Sequence, residues 1–173
     1  MNIIIKKSII LFFLLVGFTS SSLINIKVGF SPDISASKLI LQSISQAHRK
    51  IDIAAYSFTS KPISLALLAV QKRGVIIRII ADHKANNRYT ALTFLANHGI
   101  SIRLNNNYAI MHHKFMIIDN QIVQTGSYNY TRAAAKQNAE NIIVLYNAPY
   151  IALQYEKEFK RLWEESSVLQ PQY

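Results

Sequence analysis

The sequence predicts an α/β fold: a mixed, largely parallel β-sheet flanked by helices, in one domain. Two observations carry this. Short β-branched apolar runs alternate along the chain with segments of helical period. A length of 173 residues, half of them hydrophobic, suits one domain with a sizeable core.

The elements follow in order. Residues 25–30 read as a strand. Residues 35–48 read as a helix with Leu39, Ile40, Ile44 and Ala47 on one face. Residues 51–58 are nearly continuously apolar, as expected of a strand buried on both faces. Pro62 is suited to open a helix that runs to Lys72 and Arg73 and stops at Gly74. A buried strand is expected over 75–81, a helix over 88–97 ending at His98 and Gly99, and a short strand over 101–104. Residues 111–119 read as a strand that stops at the turn signal Asp119-Asn120, with 122–125 returning beside it. A strand over 141–146 and a closing helix over 149–165 complete the domain, the helix turning Tyr155, Phe159, Leu162 and Trp163 inward.

The first 22 residues have a different character. A short basic region containing Lys6 and Lys7 precedes an apolar run over 8–18, then Thr19-Ser20-Ser21-Ser22. This is the pattern of a secretory signal peptide cleaved near Ser22, which leaves residues 23–173 as the mature domain and implies export to the periplasm or beyond. The apolar run is short for a membrane span. The chain has no cysteine, so an oxidising compartment adds no disulfide. Removing Lys6 and Lys7 from the 19 basic residues, against 9 acidic ones, leaves a net charge of +8. Such a charge favours polyanions, either nucleic acid or an anionic lipid surface.

The chemistry is concentrated in His112, Lys114, Asp119, Gly126, Ser127 and Asn129, spaced H-x-K-x4-D-x6-G-S-x-N. Six fixed residues coincide by chance about once in 10^8 starting points. Alternation on a strand places His112 and Lys114 on one side and His113 on the other. Ser127 and Asn129, also two apart, can share a face. One hairpin can then offer an imidazole, an ammonium, a hydroxyl and an amide to one anion. Asp119 has the opposite parity to His112, so it reads as an orienting or structural acid near the turn. No cluster with metal-ligand spacing is present, and the motif holds few acids, so no metal or other cofactor is expected.

This stretch resembles the HxKxxxxD and GSxN signature of the phospholipase D superfamily. The likeness extends through Thr131, Asn138, Glu140 and Asn141, and upstream into the segment from Ala54 to Thr59. It covers roughly residues 28–163 and is nearest to the small bacterial endonucleases that carry one motif per chain. It implies that His112 attacks phosphorus to form a phosphohistidine, and that a second motif histidine protonates the leaving oxygen and then activates water. Lys114, Ser127 and Asn129 would bind the phosphate. Glu140 would fix the imidazole tautomer, and Asp119 would support the catalytic group. With one motif per chain, the second histidine is expected from a symmetry mate, hence a homodimer with a shared active site.

The favoured substrate is DNA, with RNA as an extension. The alternative is a phosphatidylcholine-like phospholipid at a membrane, and a third possibility is a non-catalytic nucleic-acid-binding module. Among the remaining candidates, Asp82, His83, Lys84 and Arg88 follow a strand's carboxyl end, where ligands often bind. His48 and His98 read as helix-end residues, and Tyr128 and Tyr130 as core residues in preference to base-stacking ones.

Overall fold

A computed structural model describes residues 23–86 and 91–170. Its centre is an eight-stranded mixed sheet in the order β1-β7-β6-β5-β2-β3-β4-β8. The strands are β1 (Asn25–Ser31), β2 (Lys50–Ala55), β3 (Ile76–Asp82), β4 (Ser101–Asn105), β5 (Lys114–Ile118), β6 (Ile122–Gly126), β7 (Glu140–Tyr146) and β8 (Ser167–Val168). The helices are α1 (Ser35–Ser45), α2 (Lys61–Gln71), α3 (Ala91–Asn97), α4 (Arg132–Lys136) and α5 (Pro149–Glu165).

The α/β class and the mixed sheet are as expected, but the balance of directions is not. Only β2–β3 and β3–β4 pair in parallel; the other five pairings are antiparallel. The sequence alternates strand and helix up to β4, which suggests βαβ crossovers throughout. The chain then runs from β4 to β5 without a regular helix and reverses beside β2. Buried strands look alike in sequence whichever way their neighbours run.

Local chemistry explains the boundaries. Ser60 caps α2, its hydroxyl accepting from the Ile63 N–H, and Pro62 lies in the first turn, where no amide donor is missed. The β5–β6 hairpin turns through Asp119 and Asn120, both at positive φ (53° and 60°), a conformation these side chains tolerate. Two short elements, α4 and β8, carry too little periodicity to be read from sequence. Of the helix expected over 88–97, the described part is α3, and its expected start lies outside the described residues, as does the segment 1–22.

Each face of the sheet buries a separate core. Ile53, Ile79, Met116 and Val144 pack under α1, α2 and α3, and Ala54, Ile80, Phe115 and Ile117 pack under α5. A polar latch aligns α5. Asp52, 1% exposed, accepts from Arg78 Nε and Nη2 at 2.7 and 2.8 Å. The Arg78 guanidinium lies 4.9 Å from the Phe159 ring centre and 5.3 Å from that of Trp163. This fork on a carboxylate with aromatic faces against it suits a guanidinium and would not suit an ammonium. α5 leaves the β1 end of its face bare, where Ile26, Val28 and Phe30 are each more than half exposed.

Candidate active site

The signature residues other than Asp119 lie where β2 and β3 end, β5 and β7 begin, and β6 ends. Cross-strand register brings this about: Ala55 pairs with Lys114, Phe115 with Thr125, and Gly126 with Ile142. Gly126 is required by packing. A Cβ there would stand 2.2 Å from the Asn141 carbonyl oxygen and 2.8 Å from Ile142 Cα, so any side chain would drive β6 from β7.

β5 begins at Lys114, three residues later than the sequence suggests, yet the alternation holds. His112 is exposed, its ring 4.7 Å from that of Tyr56 in an edge-on contact. His113 turns the other way, to Phe115 and to Glu158 at 3.4 Å. Neither ring nitrogen of His112 is hydrogen-bonded among the described residues. The imidazole is held below its ordinary pKa, first by desolvation and then by the Lys114 ammonium, with Asp82 pulling the other way. A neutral ring with a free lone pair is the form that can attack an electrophile.

Lys114 is buried and donates to the His112 carbonyl at 2.8 Å, its Nζ 5.3 Å from the Tyr56 ring centre. Burial lowers its pKa against a smaller opposing pull from Glu140. A buried ammonium without a carboxylate bonded to it is poised to meet an incoming anion.

Glu140 differs from expectation. Within the chain it accepts from Ser127 Oγ at 2.6 Å and Asn138 Nδ2 at 2.9 Å, and it makes no hydrogen bond to His112. Ser127 is likewise occupied, since its hydroxyl also accepts from the Asn141 backbone N–H at 3.1 Å. It therefore ties Glu140 to the end of β7. Asn129 Oδ1 is buried without a hydrogen-bond partner, an uncommon state for a polar atom.

Asp119 lies at the far end of β5, about 16 Å from Lys114 at ~3.3 Å per residue. There it accepts backbone N–H bonds from His48, Arg49 and Lys50 at 2.8, 2.8 and 2.9 Å. These bonds hold its carboxyl below the usual range despite partial burial. This place suits the structural acid near the turn that the strand parity suggests, and not a supporting group of the site: within the chain Asp119 fastens the α1–β2 corner to the hairpin and does not approach His112.

One participant, Tyr56, was not singled out from sequence, and another, Asp82, takes a different part from the one expected. Tyr56 touches both His112 and Lys114; it was read only as strand. Asp82 was a candidate for substrate contact, but it is 2% exposed and accepts from the Met111 and Ala85 N–H groups at 2.8 and 2.7 Å. It thereby anchors the chain just before His112. A carboxylate at the end of an apolar strand was the available signal. Tyr128 and Tyr130 are buried core residues, as expected, and His98 Nδ1 contacts the Phe94 carbonyl at the end of α3. Arg88 lies outside the described residues. Among the described residues, no three His, Cys, Asp or Glu side chains are grouped as a metal site requires.

A family model described as cardiolipin synthase, PLD-like domain, matches residues 40–163. The chain belongs to the phospholipase D superfamily. The phospholipase D family member Nuc from Salmonella typhimurium is 37% identical, with a TM-score of 0.82 over 85% of this chain and 99% of that one. NucT from Helicobacter pylori is 25% identical, with a TM-score of 0.76 over 84% and 99%. The mitochondrial cardiolipin hydrolase of Xenopus laevis is 36% identical over 138 residues, 77% of this chain and 63% of that protein. The phospholipase D of Rickettsia prowazekii is 35% identical over 122 residues, 70% and 60% respectively. The chain thus spans less than two thirds of the length of these last two relatives, whereas it matches Nuc and NucT almost end to end.

Proposed function

We propose that this phospholipase D-like chain is an exported, metal-independent phosphodiesterase that cleaves DNA, and RNA by extension, as a homodimer. The observation that carries the reading is the exposed imidazole of His112, free of hydrogen bonds among the described residues, beside the buried ammonium of Lys114.

In the first step a neutral imidazole nitrogen of His112 attacks phosphorus. The phosphorus–oxygen bond to the leaving group breaks, and the departing oxygen takes a proton from the imidazolium of a second His112. In the second step that now neutral ring takes a proton from water as the water oxygen attacks the phosphohistidine, and His112 is released. Lys114 offsets the charge that gathers on the nonbridging oxygens. His113 faces α5, so the second imidazole is assigned to a symmetry mate. The bare face of β1 supports this assignment. Phe30 pairs with Asn141, next to Glu140, so the apolar patch of Ile26, Val28 and Phe30 runs up to the site. Tyr150 and Leu153 of α5 are also exposed. A two-fold axis lets each copy cover the other's patch.

The substrate choice rests on charge and size. Lys84, and Arg132 with Lys136 on α4, are exposed close to the signature residues and pair with no acid among the described residues. Unpaired cations around a phosphate site suit a polyanion. The near end-to-end match to Nuc and NucT supports the same choice, whereas the names of the cardiolipin hydrolases favour a lipid. Export rests on the signal-peptide pattern of the first 22 residues.

The test is a paired assay of residues 23–173 in excess EDTA, with plasmid DNA in one arm and phosphatidylcholine or cardiolipin vesicles in the other. Nicking that falls roughly 10^3-fold or more in His112→Ala supports the nuclease. Lipid hydrolysis without nicking would assign the phospholipid instead, and DNA binding without turnover would leave a binding module. Sedimentation of Val28→Glu tests the assembly: the expected result is a monomer that has lost activity.

A further inference from the structure

The loop between β4 and β5 does more than carry the chain to His112. With α5 it borders an open cavity of about 330 Å³ lined by Tyr108, Ile110, Met111, His112, His113, Arg161 and Leu162. His112 forms part of the wall, so the cavity adjoins the residue that would meet a phosphate.

The lining decides what fits. Arg161 looks like a second phosphate ligand, but its charge is already met. Its Nε and Nη2 donate to Glu158 at 2.9 and 2.7 Å, and its Nη1 donates to Glu165 at 3.1 Å. Two carboxylates against one guanidinium leave no attraction for another anion. Ile110, Met111 and Leu162 add apolar wall, and Ile110 is half exposed at the rim. The Tyr108 hydroxyl donates to Glu165 at 2.7 Å and accepts from Arg161 Nη1 at 2.6 Å. Its ring is therefore held in place while 38% of the residue stays exposed. A pinned aromatic surface in a partly apolar cavity whose charged groups pair among themselves fits a flat neutral ring. At the lower end of the ~300–1,000 Å³ range of ligand pockets, the cavity suits one such group better than a pair of acyl chains.

We propose that this cavity is the subsite for the nucleobase beside the scissile phosphate, with Tyr108 as its stacking platform. This rests on the nuclease reading above and adds how the substrate is held. Stacking reads any base, so the platform raises affinity without demanding a sequence.

The experiment compares a single-stranded thymidine 12-mer with an abasic 12-mer of the same backbone and charge, each cleaved by the wild type, Tyr108→Ala and Tyr108→Trp. Tyr108→Ala is expected to lower kcat/KM on the thymidine oligomer about tenfold, with Tyr108→Trp restoring most of it. On the abasic oligomer the three proteins are expected to agree within about twofold, because the ring has nothing to stack on. Equal losses on both oligomers would assign Tyr108 a purely structural role and overturn the proposal, as would an unchanged kcat/KM on the thymidine oligomer. If the wild type hydrolyses phospholipid vesicles but neither oligomer, the nuclease reading itself fails and takes the subsite with it.

Discussion

Replacing Asp119 separates structure from catalysis at a signature position. In Asp119→Asn, one oxygen can still accept from Arg49 and Lys50, but the amide NH2 confronts the His48 N–H and the negative charge is gone. A hydrogen bond to a charged acceptor contributes roughly 1.5–3 kcal/mol. Losing one and weakening two, at a partly exposed site where water substitutes in part, costs about 2 kcal/mol. Asp119→Ala strands all three donors and puts alanine at positive φ, a conformation worth roughly 1–2 kcal/mol by itself, for a total of about 4 kcal/mol. At ~2–4 °C per kcal/mol, Tm is expected to fall by about 4–8 °C and 8–16 °C respectively. The assay is thermal unfolding by circular dichroism beside specific activity measured well below Tm. Activity per folded molecule is expected within about twofold of wild type. The gap in Tm also depends on pH. The folded-state pKa of Asp119 is depressed, so its contribution is fully present above the unfolded value of 3.8 and is lost as pH falls through the folded value. The gap between wild type and Asp119→Asn is therefore expected to close in strongly acidic buffer. A variant with unchanged Tm and activity lost by tenfold or more would refute the argument and return Asp119 to the catalytic group.

Three further outcomes follow from the geometry. Lys114→Met removes the cation beside His112, so imidazolium forms more readily and the His112 pKa rises; the acid limb of the kcat/KM profile is expected to move to higher pH, with kcat reduced roughly 10^2-fold or more. Gly126→Ala places a methyl group against the β7 backbone and is expected to cost at least about 3 kcal/mol, seen as a Tm fall of about 6–12 °C or as insoluble protein. Asp52→Asn breaks the latch to α5 and is expected to cost about 2–3 kcal/mol in denaturant titration, below the usual range for a buried pair because water reaches Arg78.

Much of this protein was legible in its residues because the signals are local. Lys114 and His112 on one side of a strand with His113 on the other is a consequence of the two-residue period, and it held even where the regular strand had not begun. Ser60 and Pro62 open α2, and Asp119-Asn120 turns the hairpin, through preferences contained within a few residues. The density of the signature likewise made the resemblance to the phospholipase D superfamily visible without coordinates.

Other features depend on contacts between distant parts of the chain. Nothing near β5 says that it reverses beside β2, since both strands are buried and largely apolar. Tyr56 lies 56 residues before His112 and joins it only when β2 and β5 pair, Ala55 beside Lys114. Asp119 looks like a member of the site because it is near in sequence; a strand about 16 Å long carries it to the opposite end, where its partners come from residues 48–50. Ser127 and Glu140 appear to be separate phosphate and imidazole ligands until the β6–β7 register joins them to each other. The sequence by itself determined which groups are available and the face each takes on its own element, because those follow from local period and turn chemistry. Only the tertiary structure decided which of them meet, because pairing between strands, and not distance along the chain, sets the spacing of their side chains.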